Sequence, residues 1–591
     1  MIFVIKIPIN MRLIIVFTSL FLLGCLDKLP HETPKNLEIP FEVSGGEETS
    51  TYEEVISFYK RLSHTYPSIS VFEVGKTDSG HPLHVVTFSK EKVSSLEDVT
   101  SHQKNVLLIN NGIHPGESDG IDASMMLLRD VAEGTIPPPQ NTIIAVIPIY
   151  NVGGALNRNS HSRTNQNGPK AYGFRGNARN FDLNRDFIKA DTKNAQCFAK
   201  IFHLLKPDWF IDNHVSNGAD YQYVLTHLFT QHNKLGGALG EYLNDSFMPE
   251  LQDSLALKNW DITPYVNVFN KTPETGFSQF MDYPRYSTGY TTLFNTVGMM
   301  VETHMLKPYK QRVMGTYELM KSFINIAEKD AEKMAVLRKE YWKNYTPGSS
   351  YPISWEIDSA QVSTLQFKGY EAASEKSKIT NLPRLKYHRQ KPFTRPITYY
   401  NYFKPSKGIV IPSKYIVPKG YWNIIEQLKN NDIKFRILEK DTIITAEVYH
   451  IQHYETFQNP YEGHYPHYNT EVNAKFEKVP LKAGDYIVET QQPGVRYLLE
   501  TLEPSAVDSF FNWNYFDAIL QQKEGFSPYV WEDLAFQFLK ENPAIAKEFD
   551  NKKREDQSFA ANWYAQLDWL HKQSPYYEKA HLRYPILRVL D

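Results

Sequence analysis

His114 and Glu117 stand three residues apart, shortly after the apolar run Val106–Ile109. An imidazole and a carboxylate delivered together at the end of a buried strand suit a divalent metal. A catalytic zinc wants three such ligands and a position left open for water. A third ligand is offered by Asp208–His214, where the apolar residues Trp209, Phe210 and Ile211 lead to Asp212, Asn213 and His214. Further on, Gly298–His304 carries a carboxylate, Glu302, on another apolar run. At the same sheet edge it is placed to take a proton from water whose pKa a metal has lowered to about 7. Between the ligand segments lies Arg175–Phe187, dense in Arg and Asn and containing Asp182-Leu183-Asn184-Arg185. Such a stretch is costly to order unless it binds an anion, and the guanidinium fork matches a carboxylate bidentately. Each residue also has a plainer reading. Glu117 suits the first turn of a following helix, His214 a polar strand end, and Asn184 and Arg185 a structural ion pair. Their order, each group near a strand end, favours one site.

The elements that must position these residues are legible as alternating apolar runs and amphipathic stretches. Strands are expected at Leu83–Phe88, Val106–Asn110, Thr142–Ile149, Trp209–Asn213 and Met299–Glu302, and helices at Tyr52–Thr65, Gly120–Glu133, Thr192–Leu205, Leu235–Phe247 and Gln311–Arg338. Strands that are apolar throughout and separated by helices predict an α/β fold, with a mixed, largely parallel sheet covered by helices on both faces. Ligand sites in such sheets lie beyond the carboxyl ends of strands, where residues 111–117, 150–154 and 214 fall. Past Tyr351 the texture changes to shorter strands such as Gly408–Ile411, Lys434–Leu438 and Asp485–Glu489, joined by Pro- and Tyr-rich connections. This predicts an α+β accessory region over 346–591, following a catalytic region over 49–345.

The N-terminus has the layout of an export signal: Met11-Arg12, an apolar core Leu13–Leu23, then Gly24-Cys25. The apolar run is shorter than the roughly 20 residues a membrane-spanning helix needs. Its ending resembles a bacterial lipobox, which makes 1–25 a lipoprotein signal peptide and Cys25 the lipidated residue. Residues 26–48, rich in Pro, Glu and Lys, read as a tether. The expected location is the bacterial cell envelope, as an exported lipoprotein held at the membrane by its lipid anchor. With Cys25 and Cys197 the only cysteines, stability must come from the core and any metal rather than from disulfides. A net charge of −3 gives no electrostatic case for nucleic acid.

Taken in order, His114 and Glu117, an Arg, Asp182-Leu183-Asn184-Arg185, His214, a Tyr and Glu302 resemble the zinc carboxypeptidases of the M14 family, the carboxypeptidase A clan, over roughly residues 52–343. The stretch from Arg175 looks most like bacterial members. The resemblance implies one zinc on His114, Glu117 and His214, with Asp182 supporting a zinc histidine. It implies that Asn184 and Arg185 grip the substrate's terminal carboxylate and that Glu302 is the general base. Arg175 is the first choice for stabilising the oxyanion, and Arg163 is the alternative. The family's mobile tyrosine has no clean counterpart; of Tyr283, Tyr286 and Tyr290 the choice falls on Tyr286. The implied activity is hydrolysis of the C-terminal peptide bond of peptides with a free carboxylate, by metal-activated water. Two alternatives are a metallo-amidase acting on peptidoglycan-derived peptides and a non-catalytic binding lipoprotein on this scaffold.

Several residues keep two readings. Arg285 is either a determinant for an acidic substrate side chain or a solvated loop charge. His304, two after Glu302, either orients the base or fills space. His464 and His467 fit a metal less well than a solvated loop.

Overall fold

The computed structural model describes residues 37–590. The signal-peptide reading and Cys25 lie outside the described residues. In chain order the first strands are β1 (Ile69–Lys76), β2 (Pro82–Phe88), β3 (Asn105–Asn110), β4 (Thr142–Ile147), β5 (Trp209–Ser216), β6 (Leu225–Phe229), β7 (Ile262–Pro264), β8 (Phe277–Ser278) and β9 (Val297–His304). All but β8 form one eight-stranded sheet in the order β1-β2-β4-β3-β5-β9-β6-β7. Its four central strands, β4, β3, β5 and β9, run parallel, while β2 and β6 flank them antiparallel. Every residue of β3, β4 and β5 is buried. Both faces are therefore covered, as the apolar runs Val106–Ile109, Ile143–Ile147 and Trp209–Ile211 require. The sheet is the mixed, largely parallel one expected.

Local signals set the helices that position the site. Tyr52–Thr65 starts at a capping box made by Thr51 and Glu54, and Lys193–Leu205 starts where the Thr192 hydroxyl accepts from the Ala195 N–H. Asp119–Glu133 begins just past Glu117, and Arg312 of the Tyr309–Lys329 helix pairs with Asp119 in the interior. The same guanidinium donates to the carbonyls of Asn167, Lys307 and Gly168, so one arginine ties two loops near the site to the start of the Asp119–Glu133 helix. The single helix expected over Gln311–Arg338 is two, Tyr309–Lys329 and Ala331–Arg338, parted at Asp330. That over Leu235–Phe247 is broken at Gly236 and Gly237, both at positive φ.

The tether reading needs correction over its described part. Leu37, Ile39 and Phe41 are buried, Phe41 packs on Tyr309, and Glu42 receives both ends of the Arg129 guanidinium. The alternating apolar residues 37, 39 and 41 bury more than the Pro and Lys around them repel, so this segment docks on the core.

The accessory region adds β10 (Ser350–Ile357), β11 (Ser363–Lys376), β12 (Pro383–Tyr400), β13 (Phe403–Val410), β14 (Lys414–Val417), β15 (Arg436–Ile437), β16 (Thr442–Thr456), β17 (His467–Leu481), β18 (Tyr486–Glu489) and β19 (Leu587–Val589). The last six form a second sheet, β15-β18-β14-β19-β16-β17. Helices such as Pro528–Glu541 and Trp563–Gln573 make a small apolar cluster around Trp531 and Phe549. No gap separates this region from the first. β12 pairs with β8, Arg496 is buried donating to the Thr292 and Lys234 carbonyls, and one apolar core runs from Leu37 to Ile586. Among the described residues, no helix is long and apolar enough to cross a membrane.

Candidate active site

His114 follows β3, His214 lies in β5 and Glu302 in β9, so all three stand at the carboxyl edge of the parallel strands. His114, Glu117 and His214 are buried and converge, with one ligand atom of each within 4.8 Å of the others. Nδ1 of His114 is 3.2 Å from Glu117 Oε1, and Nδ1 of His214 is 3.1 Å from Glu117 Oε2. Each ring points its other nitrogen at a carboxylate: Nε2 of His114 lies 2.9 Å from Asp182 Oδ1, and Nε2 of His214 lies 3.0 Å from Asp212 Oδ2. A carboxylate behind a histidine fixes its tautomer and leaves the inward nitrogen free to ligate. Two imidazole nitrogens and one carboxylate facing a common point are the donor set of a catalytic zinc, and these residues fit that ion. Burial raises the Glu117 carboxyl, but His114 and Arg163 outweigh it and hold the group well below the usual carboxylate range. A ligand that stays ionised is ready for a cation.

Asp182 joins this cluster to the Asn184–Arg185 segment. Its Oδ1 accepts from Nε2 of His114 and from the Asn184 N–H, and its Oδ2 accepts from Nε and Nη2 of Arg175. Arg175 Nη1 comes within 3.4 Å of His114 Nδ1 and 3.6 Å of Glu117 Oε1. Its side chain is 41% exposed against 14% for Arg163, so Arg175 keeps a face toward solvent. Arg163 is more committed. Its Nη1 lies 3.0 Å from Glu117 Oε1, its Nε donates to Gln166, and a Cβ on Gly116 would stand 2.4 Å from its Cδ. Glycine at 116 makes room for that arginine. Beside it opens a polar cavity of about 250 Å³, lined by Ser162, Thr164, Asn165, Asn217 and Met305 among others.

Arg185 donates to the Asn184 carbonyl and lies over the Tyr286 ring, 4.7 Å from its centroid. Tyr286 in turn packs edge-on against Phe280. Its observed role is thus a platform for Arg185. Tyr290 is fully buried and bonds Asn431, which removes it from the site. The side-chain oxygen of Asn184 accepts from the Ser287 N–H, and the Ser287 hydroxyl donates to Asp212, so the two ligand-supporting acids are linked.

Glu302 is the direct register partner of His214 on the neighbouring strand. Burial pushes its carboxyl up to about 7; His214 opposes this, while Glu117 and Asp212 add to it. His304 does not orient this base. It bonds Asp220 and stacks on Tyr221, which resolves its role as packing. Arg285 forms a buried ion pair with Asp508 and faces Trp513, so it is not a solvated loop charge. His464 and His467 do not meet each other at a metal; they pair with Asp191 and Asp517. Tyr265, just past β7, escaped the sequence reading. Burial raises its phenol well above the ordinary value, and the charges of Glu302 and Glu117 raise it further. Its neighbourhood to the base depends on β7, too short to show as a strand in sequence.

Residues 55–203 match the family model described as zinc carboxypeptidase. This stretch includes His114, Glu117 and Asp182–Arg185, while His214 and Glu302 lie beyond it. Carboxypeptidase 2 of Trichophyton equinum is 21% identical over 503 residues, covering 80% of this chain and 85% of the relative. Among solved structures, a metallo-carboxypeptidase from Burkholderia cenocepacia aligns with a TM-score of 0.35 and 15% identity, over 47% of this chain and 70% of that one. The carboxypeptidase A of Helicoverpa armigera aligns with a TM-score of 0.37 and 13% identity, over 55% and 83%. Residues 55–203 belong to the zinc carboxypeptidase family, M14. Within it, the chain is a metallocarboxypeptidase-type peptidase.

Proposed function

We propose that this chain is a zinc-dependent exopeptidase that removes the last residue of peptides bearing a free terminal carboxylate. The observation that carries the reading is the inward-facing trio His114, Glu117 and His214, backed by Asp182 and Asp212, with Glu302 in register beside His214. Zinc held by the trio would supply Lewis acidity and an acidified water. Glu302 takes the water's proton and later returns it to the leaving amine. Arg175, anchored by Asp182 and open on one side, faces the oxygen on which negative charge develops. Asn184 and Arg185 hold the terminal carboxylate, and this contact selects the bond that reaches Glu302.

The test is Glu302→Gln with product analysis by mass spectrometry. The variant is expected to keep its zinc and lose roughly a hundred- to ten-thousandfold in kcat, while the wild type shortens ordinary L-peptides by one C-terminal residue. Full activity in the variant would overturn the assignment. Cleavage of muropeptides alone would turn the reading to a metallo-amidase of cell-wall peptides. The N-terminal pattern supports export and lipid anchoring at Cys25, with the enzyme working in the cell envelope.

A further inference from the structure

A hairpin tip of the accessory region reaches the backbone of Asp182. β16 and β17 pair along their length, and the connection between them turns at Tyr461-Glu462-Gly463-His464. Oε2 of Glu462 accepts the backbone N–H of Asp182 at 2.8 Å. Gly463, at φ +81°, lies against Phe181, where a Cβ would stand 3.0 Å from the ring. Nε2 of His464 is 2.7 Å from Asp191 Oδ2, an oxygen that also holds the buried ammonium of Lys189. Behind the tip, Tyr461 stacks on Trp513, and Arg285 with its partner Asp508 closes the far side. The tip is thus seated on residues 181–191 at three consecutive positions.

We propose that Glu462 is a positioning residue for the carboxylate grip, acting through the backbone of Asp182. This rests on the exopeptidase reading given above. Asp182 is where the histidine ligand His114, the arginine Arg175 and the Asn184 N–H meet. Its side chain fixes those three only if its own backbone stays still. The bond from its N–H to Glu462 supplies that restraint from outside the 175–187 stretch. A carboxylate acceptor makes a stronger bond to an N–H than a neutral one. Released, residues 182–185 gain backbone freedom, and the Arg185 guanidinium loses its fixed distance from Glu302. The role of the accessory region is then to hold the substrate's terminus in register with the base.

The test uses the full chain with Glu462→Ala and Glu462→Gln, assayed on a peptide with a free terminus. Glu462→Ala is expected to raise KM on the order of tenfold, the loss of one charge-assisted hydrogen bond, with a smaller fall in kcat and with zinc content unchanged at saturating metal, because the Asp182 carboxylate itself remains. Glu462→Gln, which keeps an acceptor oxygen, is expected to recover most of the loss. Gly463→Val, which keeps the Glu462 side chain but pushes the tip off Phe181 and so draws that carboxylate away from the Asp182 N–H, is expected to give the same KM defect, and it serves if Glu462→Ala fails to fold. Unchanged KM in Glu462→Ala, or no recovery in Glu462→Gln, overturns the proposal. If Glu302→Gln is inactive while Glu462→Ala behaves as wild type, the hairpin inference fails and the exopeptidase reading stands. If Glu302→Gln is fully active, that reading itself has failed.

Discussion

Replacing Asp182 by alanine removes one carboxylate that serves four donors: His114 Nε2 at 2.9 Å, the Asn184 N–H at 2.9 Å, and Arg175 Nε and Nη2 at 3.0 and 2.8 Å. The side chain is only 13% exposed, so water replaces it poorly. Carboxylates behind metal-binding histidines are worth about 10- to 100-fold in metal affinity, or about 1.4–2.7 kcal/mol. Arg175 loses its anchor at the same time, so kcat/KM should fall by more than the zinc term alone. The two losses share one residue and are not expected to add. The assay is competition for zinc against a fluorescent chelator, on protein whose circular dichroism matches the wild type. A folded Asp182→Ala protein that holds zinc within about twofold of the wild type would refute the argument that this acid sets the His114 donor.

Arg185→Ala should raise KM far more for peptides with a free terminus than for amidated ones; equal loss on both would remove the carboxylate-grip assignment. Acid stability should reflect two neutral interior histidines, His227 and His232, which burial lowers to about 3 and about 4. Unfolded, each returns to about 6.5 and binds a proton more readily than the native state does. Stability is therefore full above pH 6.5 and falls as pH drops toward 4, by an order of 2 kcal/mol per histidine at pH 5. Urea midpoints at pH 7 and pH 5 measure this, and His227→Gln should shrink the difference; an unchanged difference would show that another group governs it. Cys25→Ser should move the protein from the membrane to the soluble fraction, and retention at the membrane would point to another anchor.

The central sheet was readable because β3, β4, β5 and β9 each carry a continuous apolar run, the pattern of strands covered on both sides. The three candidate ligands and Glu302 were readable because each terminates or follows such a run. β1 was missed because its residues are only partly buried, and β7 because it spans three residues. What sequence could not supply was distance across the chain. Asp182 and Glu462 are 280 residues apart, and Arg285 and Asp508 are 223 apart. No local pattern marks either pair. Arg285 reads as a loop charge until the acid that neutralises it is in view. The tether reading failed over 37–43 for the opposite reason: its composition is polar on average, while three alternating side chains are buried.

His214 and Glu302 face each other on adjacent parallel strands, so their separation is fixed by the spacing of the sheet, about 4.8 Å between neighbouring backbones. That interval is a property of main-chain hydrogen bonding and is indifferent to what the surrounding loops contain. Substitutions in the loops around the site, Ser287 and Glu462 excepted, therefore leave the alignment of Glu302 with His214 unchanged. A laboratory lineage selected for a new terminal residue should accumulate its changes in such loops and leave β5 and β9 untouched.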